Sequence, residues 1–259
     1  MSNRLRSLLA AALMIAVAAT ASVAFRSSGP PRADIEMVHL GPGSGGTEAF
    51  VAWPNPRANA PAVIVVHEAW GLNGQIRDMA RRLSREGYVA IVPDLYHGRM
   101  ATDFEKARQL AQALDRDDAL ADLRAALAWL RARPETSKSR IAAMGFDMGA
   151  RLAQELGLGG SDLAAIVMFY GTPETDVERL KALPAPIQAH FGAVDDGLPP
   201  WHAEKLRDAL AQAGKTGEVF VYPGAGHAFM NENRSSYRPD AARQAWARTL
   251  AFLQKPLKS

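Results

Sequence analysis

The residues of this chain best suited to chemistry are Asp147, Asp195 and His227, each placed just after a run of apolar, strand-like residues. Asp147 is the centre of Gly145-Phe146-Asp147-Met148-Gly149. Glycines at both ends of such a strand-to-helix turn make room for a strained backbone that lifts the central side chain above a sheet, where an oxygen or sulfur can attack. An aspartate there still offers an attacking oxygen, but its products differ. On a saturated carbon it gives a stable alkyl ester, and on an ester carbonyl a reactive anhydride. Asp195 lies in Gly192-Ala193-Val194-Asp195-Asp196, and His227 in Gly224-Ala225-Gly226-His227. Nucleophile, acid, histidine is the chain order of one class of catalytic triad. Singly, an aspartate after a strand is more often a turn or cap residue, and a histidine in a glycine-rich loop is more often structural. Their common order at successive strand ends is what points to catalysis.

The elements that must hold these residues alternate short apolar strands with amphipathic helices. Residues 63–66 read as a strand buried on both faces, being four consecutive aliphatic and mostly β-branched residues. Residues 76–85 read as its return helix, with Ile76, Met79, Ala80 and Leu83 on one stripe. A strand at 88–92 ends at Pro93-Asp94, and helices at 104–114 and 119–130 are separated by the capping-prone Asp115-Arg116-Asp117-Asp118. The strand at 141–144 feeds Asp147 and a helix at 150–156 leaves it. Strands at 164–169, 187–191 and 219–222 follow, and a helix over about 241–253 closes the chain. This alternation predicts an α/β architecture with a mostly parallel central sheet and helices on both faces, and the turn at 145–149 with the order of Asp147, Asp195 and His227 is similar to that of the α/β-hydrolase fold. Ligands in such folds sit at the carboxyl ends of the strands.

The strand ending at Val66 runs directly into His67-Glu68-Ala69-Trp70-Gly71-Leu72-Asn73. Further matching stretches are Glu86-Gly87-Tyr88 through Pro93-Asp94-Leu95-Tyr96, the turn at 145–149, Phe169-Tyr170-Gly171, the turn at 192–195 and Gly226-His227-Ala228-Phe229. In these residues the chain resembles the dienelactone hydrolase family over most of 49–254. The resemblance implies a carboxymethylenebutenolidase-like hydrolase of a small molecule, with His227 as general base and Asp195 orienting it. It makes Glu68 the regulatory carboxylate beside the nucleophile, and the backbone N–H groups of Met148 and Ala69 the oxyanion hole, a contribution worth a few kcal/mol. His67 is expected to be a hydrogen-bonded structural residue.

Three departures qualify this. The family nucleophile is cysteine or serine, whereas here it is Asp147, and the chain has no cysteine. The arginines that grip a dienelactone carboxylate lack clear counterparts. Arg234 either substitutes for them or is a solvated loop arginine, the commoner case. Finally, enzymes with an aspartate at this turn, such as haloalkane dehalogenases and epoxide hydrolases, place a bulky cap over the site, and residues 96–133 are short for one. Trp70 and Tyr170 hold positions from which they could bind substrate or its leaving group, or simply pack. Two catalytic routes are open: covalent attack by Asp147 on an alkyl electrophile, and water attack on an ester or lactone assisted by Asp147 and Glu68, which burial and repulsion would keep singly protonated. A third reading is a catalytically impaired exported protein that binds a ligand in the same pocket; retention of Glu68, Asp195 and His227 argues against it.

The 259 residues, 48% hydrophobic, suffice for one substantial core. The net charge of +3 is carried by Arg4, Arg6 and Arg26, so the remainder is neutral and offers no nucleic-acid surface. Absence of cysteine excludes disulfides and thiolate metal sites. No metal spacing and no cofactor motif stand out, so no cofactor is expected. Residues 1–24 read as a signal peptide: Arg4 and Arg6 precede an alanine-rich apolar run, and Ala19-Thr20-Ala21 and Ser22-Val23-Ala24 offer two cleavage points. The same run fits an uncleaved anchor, the one way the chain would meet a membrane. Either way the protein is exported, periplasmic or secreted, or anchored with its domain outside the cytoplasm. A linker over 25–40, rich in Ser, Gly and Pro up to residue 33, then leads to the catalytic domain at 41–259. Nothing in the sequence sets an oligomeric state.

Overall fold

The computed structural model describes residues 34–41 and 46–258. The expected signal peptide and most of the linker lie outside the described residues. Eight strands form one sheet: β1 (Asp34–His39), β2 (Glu48–Trp53), β3 (Ala60–Val66), β4 (Val89–Pro93), β5 (Thr136–Phe146), β6 (Ala165–Phe169), β7 (Ile187–Gly192) and β8 (Gly217–Tyr222). Their spatial order is β1-β2-β4-β3-β5-β6-β7-β8. β1 and β2 pair antiparallel, and β2 pairs antiparallel with β4, whereas every pair from β4 through β3 to β8 is parallel. This is the expected α/β-hydrolase fold.

The helices are α1 (Gly74–Arg85), α2 (Phe104–Ala113), α3 (Arg116–Ala132), α4 (Met148–Leu158), α5 (Val177–Lys181), α6 (Trp201–Gln212) and α7 (Pro239–Lys258). Side chains of a strand alternate between faces, so β3 sends Val63 and Val65 to one core and Ala62, Ile64 and Val66 to the other. The first core meets α1 through Ile76, Met79 and Leu83 and α7 through Ala245 and Leu253. The second meets α3 through Leu123 and Leu127, α4 through Leu152 and Leu156, and α6 through Leu206 and Leu210. A sheet covered on both faces requires the near-continuous aliphatic runs that made β3 and β4 legible.

Caps fix where helices start. The Asn73 side chain accepts from Ile76 N–H at 3.1 Å to open α1, and Asp115 accepts from Asp117 and Asp118 N–H to open α3, as expected of the acidic break. The described part of the chain differs from expectation at four elements. Residues 34–39, assigned to the linker, are the edge strand β1, held by its ladder to β2 although its side chains are mostly exposed. β2, α5 and α6 were not anticipated either. Among the described residues, no helix is long and apolar enough to cross a membrane.

Candidate active site

The parallel strands β5, β7 and β8 end on the same side of the sheet, and each delivers one polar residue there. β5 stops at Phe146 and α4 starts at Met148, leaving Asp147 alone at the bend with φ 53° and ψ −120°. Asp147 N–H donates to Phe169 C=O at 3.0 Å, and its own carbonyl accepts from Ala150 N–H at 3.0 Å, so both neighbours hold this left-handed backbone in place. The turn sits hard against the end of β3. A Cβ at Gly149 would lie 2.5 Å from the carbonyl oxygens of Val66 and His67, so only glycine permits the approach.

Asp195 is buried. One carboxylate oxygen accepts from Gly197 N–H at 3.0 Å and Leu198 N–H at 2.8 Å, which aims the other at His227 Nδ1, 2.8 Å away. The opposite ring nitrogen, Nε2, lies 3.5 Å from Asp147 Oδ1. Burial alone would lower the His227 pKa, but hydrogen bonds and charge from Asp147 and Asp195 outweigh it and push it up to about 10. At neutral pH the resting centre is therefore an imidazolium held between two carboxylates.

Glu68 enters from the loop after β3. It is buried, and Asn231 Nδ2 donates to its Oε1 at 2.6 Å across 163 residues of sequence. Burial, reinforced by the charge of Asp147, pushes the Glu68 carboxyl up to about 7. The adjacent His67 is structural, as expected. Its Nδ1 bonds the Glu68 carbonyl at 2.8 Å, its Nε2 accepts from Leu95 N–H at 3.2 Å, and burial holds its pKa below the usual range.

Glu68, Ala69, Trp70, Asp147, Asp195 and His227 line one cavity of about 630 Å³. Met148, next to Asp147, is the first residue of α4, so its N–H has no carbonyl within the helix to bond. Two expectations about side chains change. Tyr170 does not reach the cavity: it is 1% exposed, with its ring set edge-on 5.3 Å from the His227 ring and its hydroxyl without a hydrogen-bond partner among the described residues. Its place at a strand end suggested a substrate contact, but its ring packs among those of Phe146, Phe169, Phe229 and His227. Arg234 is not a solvated loop arginine. Its guanidinium lies 3.5 Å over the Trp70 ring and 4.6 Å over Phe104, in the cavity wall and within the field of Glu68. Asn231, Arg234 and Phe104 are thus the site residues that sequence reasoning missed or discounted. Each arrives through a tertiary contact that no local pattern signals.

A family model for the dienelactone hydrolase family matches residues 47–257. The chain belongs to the dienelactone hydrolase family. Among dienelactone hydrolase relatives, a protein of Yersinia pestis named as a carboxymethylenebutenolidase is 34% identical over 218 residues, covering 78% of this chain and 81% of its own. One of the same name from Synechocystis is 30% identical over 227 residues, covering 81% and 92%. A crystal structure from Klebsiella pneumoniae described as a dienelactone hydrolase aligns with a TM-score of 0.77 at 32% identity, over 86% of this chain and 99% of that one. The chain is accordingly a hydrolase of the dienelactone hydrolase family.

Proposed function

We propose that this protein hydrolyses a small ester-like, lactone-like or alkyl electrophile by way of a covalent intermediate on Asp147. The observation that carries the reading is the arrangement of three groups: Asp147 raised on a strained turn, His227 Nε2 3.5 Å from its carboxylate, and Asp195 2.8 Å behind the ring. In the first step an Asp147 oxygen forms a bond to a saturated substrate carbon while that carbon's bond to its leaving group, an oxygen or a halide, breaks. Where the leaving atom is oxygen, the His227 imidazolium gives it its proton.

Esterified Asp147 has lost its charge, and with it much of what holds the His227 pKa high. The neutral imidazole then takes a proton from water as the water oxygen attacks the Asp147 carbonyl carbon. The alcohol leaves and the carboxylate is restored. On this reading the N–H groups of Met148 and Ala69 stabilise the oxyanion of this second step. Arg234, with Trp70 beneath it, offers a cationic contact for an anionic leaving group or substituent.

One observation favours a second route: a Glu68 carboxyl raised to about 7 beside Asp147 is a carboxylate pair able to exchange a proton near neutrality, which would serve direct water attack without an adduct. Intact-protein mass spectrometry separates the two. His227→Ala, incubated with epoxides, haloalkanes, aryl esters and lactones, is expected to accumulate an alkyl adduct on Asp147 while wild type turns over. Turnover without adduct selects the carboxylate-pair route, and neither result across the panel removes these substrate classes. We also propose that residues 1–24 direct export. The same mass spectrum reads whether the mature chain starts after Ala21 or Ala24 or retains Met1.

A further inference from the structure

Asp147 faces two hollows. Besides the cavity already described, it lines a second cleft of about 490 Å³ together with Ala111, Leu114, Met148, Leu152 and Thr172. Two arginines, Arg116 and Arg151, border this cleft, but both are committed to the buried carboxylate of Glu155 at 2.5 Å. Its described lining mixes the aliphatic side chains of Ala111, Leu114 and Leu152 with arginines paired to Glu155, unlike the first cavity with its aromatic rings and Arg234.

One element spans both hollows. Phe104, Ala107 and Arg108 of α2 line the first cavity and Ala111 of the same helix lines the second. Positions 104, 107, 108 and 111 fall on a single helical stripe, about 10 Å long at 1.5 Å per residue. The two hollows thus follow one another beneath α2 and share Asp147.

Resting on the covalent reading above, we propose that the substrate is an open, two-armed ester whose reactive carbon sits at Asp147. Its acid arm, the leaving carboxylate, lies toward Trp70, Phe104 and Arg234. Its aliphatic alcohol arm lies in the cleft between Leu114 and Leu152. Attack by Asp147 then forms the bond to the alkyl carbon and breaks that carbon's bond to the ester oxygen. The departing oxygen takes the His227 proton and the acid is released beside Arg234, while the alkyl group stays on Asp147 pointing into the cleft until neutral His227 takes a proton from the attacking water and the alkyl group leaves as an alcohol. A compact lactone, with both arms in one ring, would leave the cleft unused.

Alkyl benzoates with alcohol chains from methyl to hexyl test the turnover. N-Alkyl benzamides of the same lengths, which resist hydrolysis, test binding by calorimetry. The expected result is a gain of about two- to fourfold per methylene in kcat/KM and in affinity, the increment of a partly to fully buried methylene. Ala111→Trp, and independently Thr172→Trp should the first fail to fold, are expected to flatten that chain-length slope by filling the cleft. With benzoates, the adduct trapped in His227→Ala should carry the mass of the alkyl group. No length dependence in the folded wild type, or a slope unchanged in both folded tryptophan variants, overturns the two-armed assignment. An acyl mass on Asp147 overturns the orientation of the arms. Failure of the covalent reading shows itself differently, as absence of any adduct, with or without turnover, while the benzamide slope persists.

Discussion

His227 is the residue whose charge state governs the rest of the centre. Flanked by Asp147 and Asp195, it stays protonated to about pH 10, so the resting enzyme holds a proton donor where a cysteine or serine enzyme needs a base. Removing one carboxylate must lower that value, since each favours the charged ring. In Asp147→Asn the His227 imidazole is therefore expected to titrate at lower pH than in wild type, followed by its ring ¹⁵N shifts; an unchanged titration would show that the two groups do not meet in solution. Glu68 provides a second check. Burial and Asp147 hold its carboxyl at about 7, so the kcat/KM profile is expected to bend near pH 7, to lose that limb in Glu68→Gln, and to shift it upward in Asn231→Leu, where the bond favouring the carboxylate is lost. At this scale the sequence was readable wherever a residue's position in the chain placed it at a strand end: Asp147, Asp195, His227 and Glu68 meet as anticipated. It was silent where the outcome depends on side-chain direction or on distant segments, as for Tyr170 packing among aromatic rings and Asn231 reaching Glu68.

The turn between β5 and α4 depends on its contact with β3. Gly149→Ala would drive a methyl group into the carbonyls of Val66 and His67, both fixed in or beside the sheet. The expected cost is about 3 kcal/mol, as for an overpacked core site, with a matching fall in activity; chemical denaturation measures it, and a variant as stable as wild type would mean that the turn is looser than described. Elements also show why parts of the fold were hidden. β3, β4 and β6 are fully buried central strands whose apolar runs announce them. β1 carries Asp34, Glu36 and His39 with Ile35 and Met37 exposed, so it has neither a continuous apolar run nor a buried face, and only pairing with β2 makes it a strand. α6 follows Pro199-Pro200, which reads as loop until the helix beyond is seen packing Leu206 and Leu210 on the core.

Taken whole, the molecule holds a buried histidine that the chemistry does not use. His190 on β7 bonds Tyr222 Oη at 2.8 Å and Gln188 Oε1 at 2.9 Å, and its ring stacks on Phe169. Burial, with the nearby Arg248 charge, lowers its pKa to about 3. The unfolded chain binds this proton near pH 6.5 and the folded chain does not, so folding stability contributed here is complete above pH 6.5 and falls as pH drops from there toward 3. The melting temperature is expected to decline through that window, less steeply in His190→Gln; parallel declines in the two proteins would assign the acid limb to other groups.

Of the helices around the site, α2 is the least committed to the core, burying only Ala107 and Leu110 along its ten residues. The reactive groups hang from the sheet, whereas the roof above them rests on little. Heredity can therefore treat the two separately: exchanges along α2 remodel what is admitted while leaving the bond-breaking apparatus intact. A lineage built on this plan is free to change its diet without reinventing its chemistry.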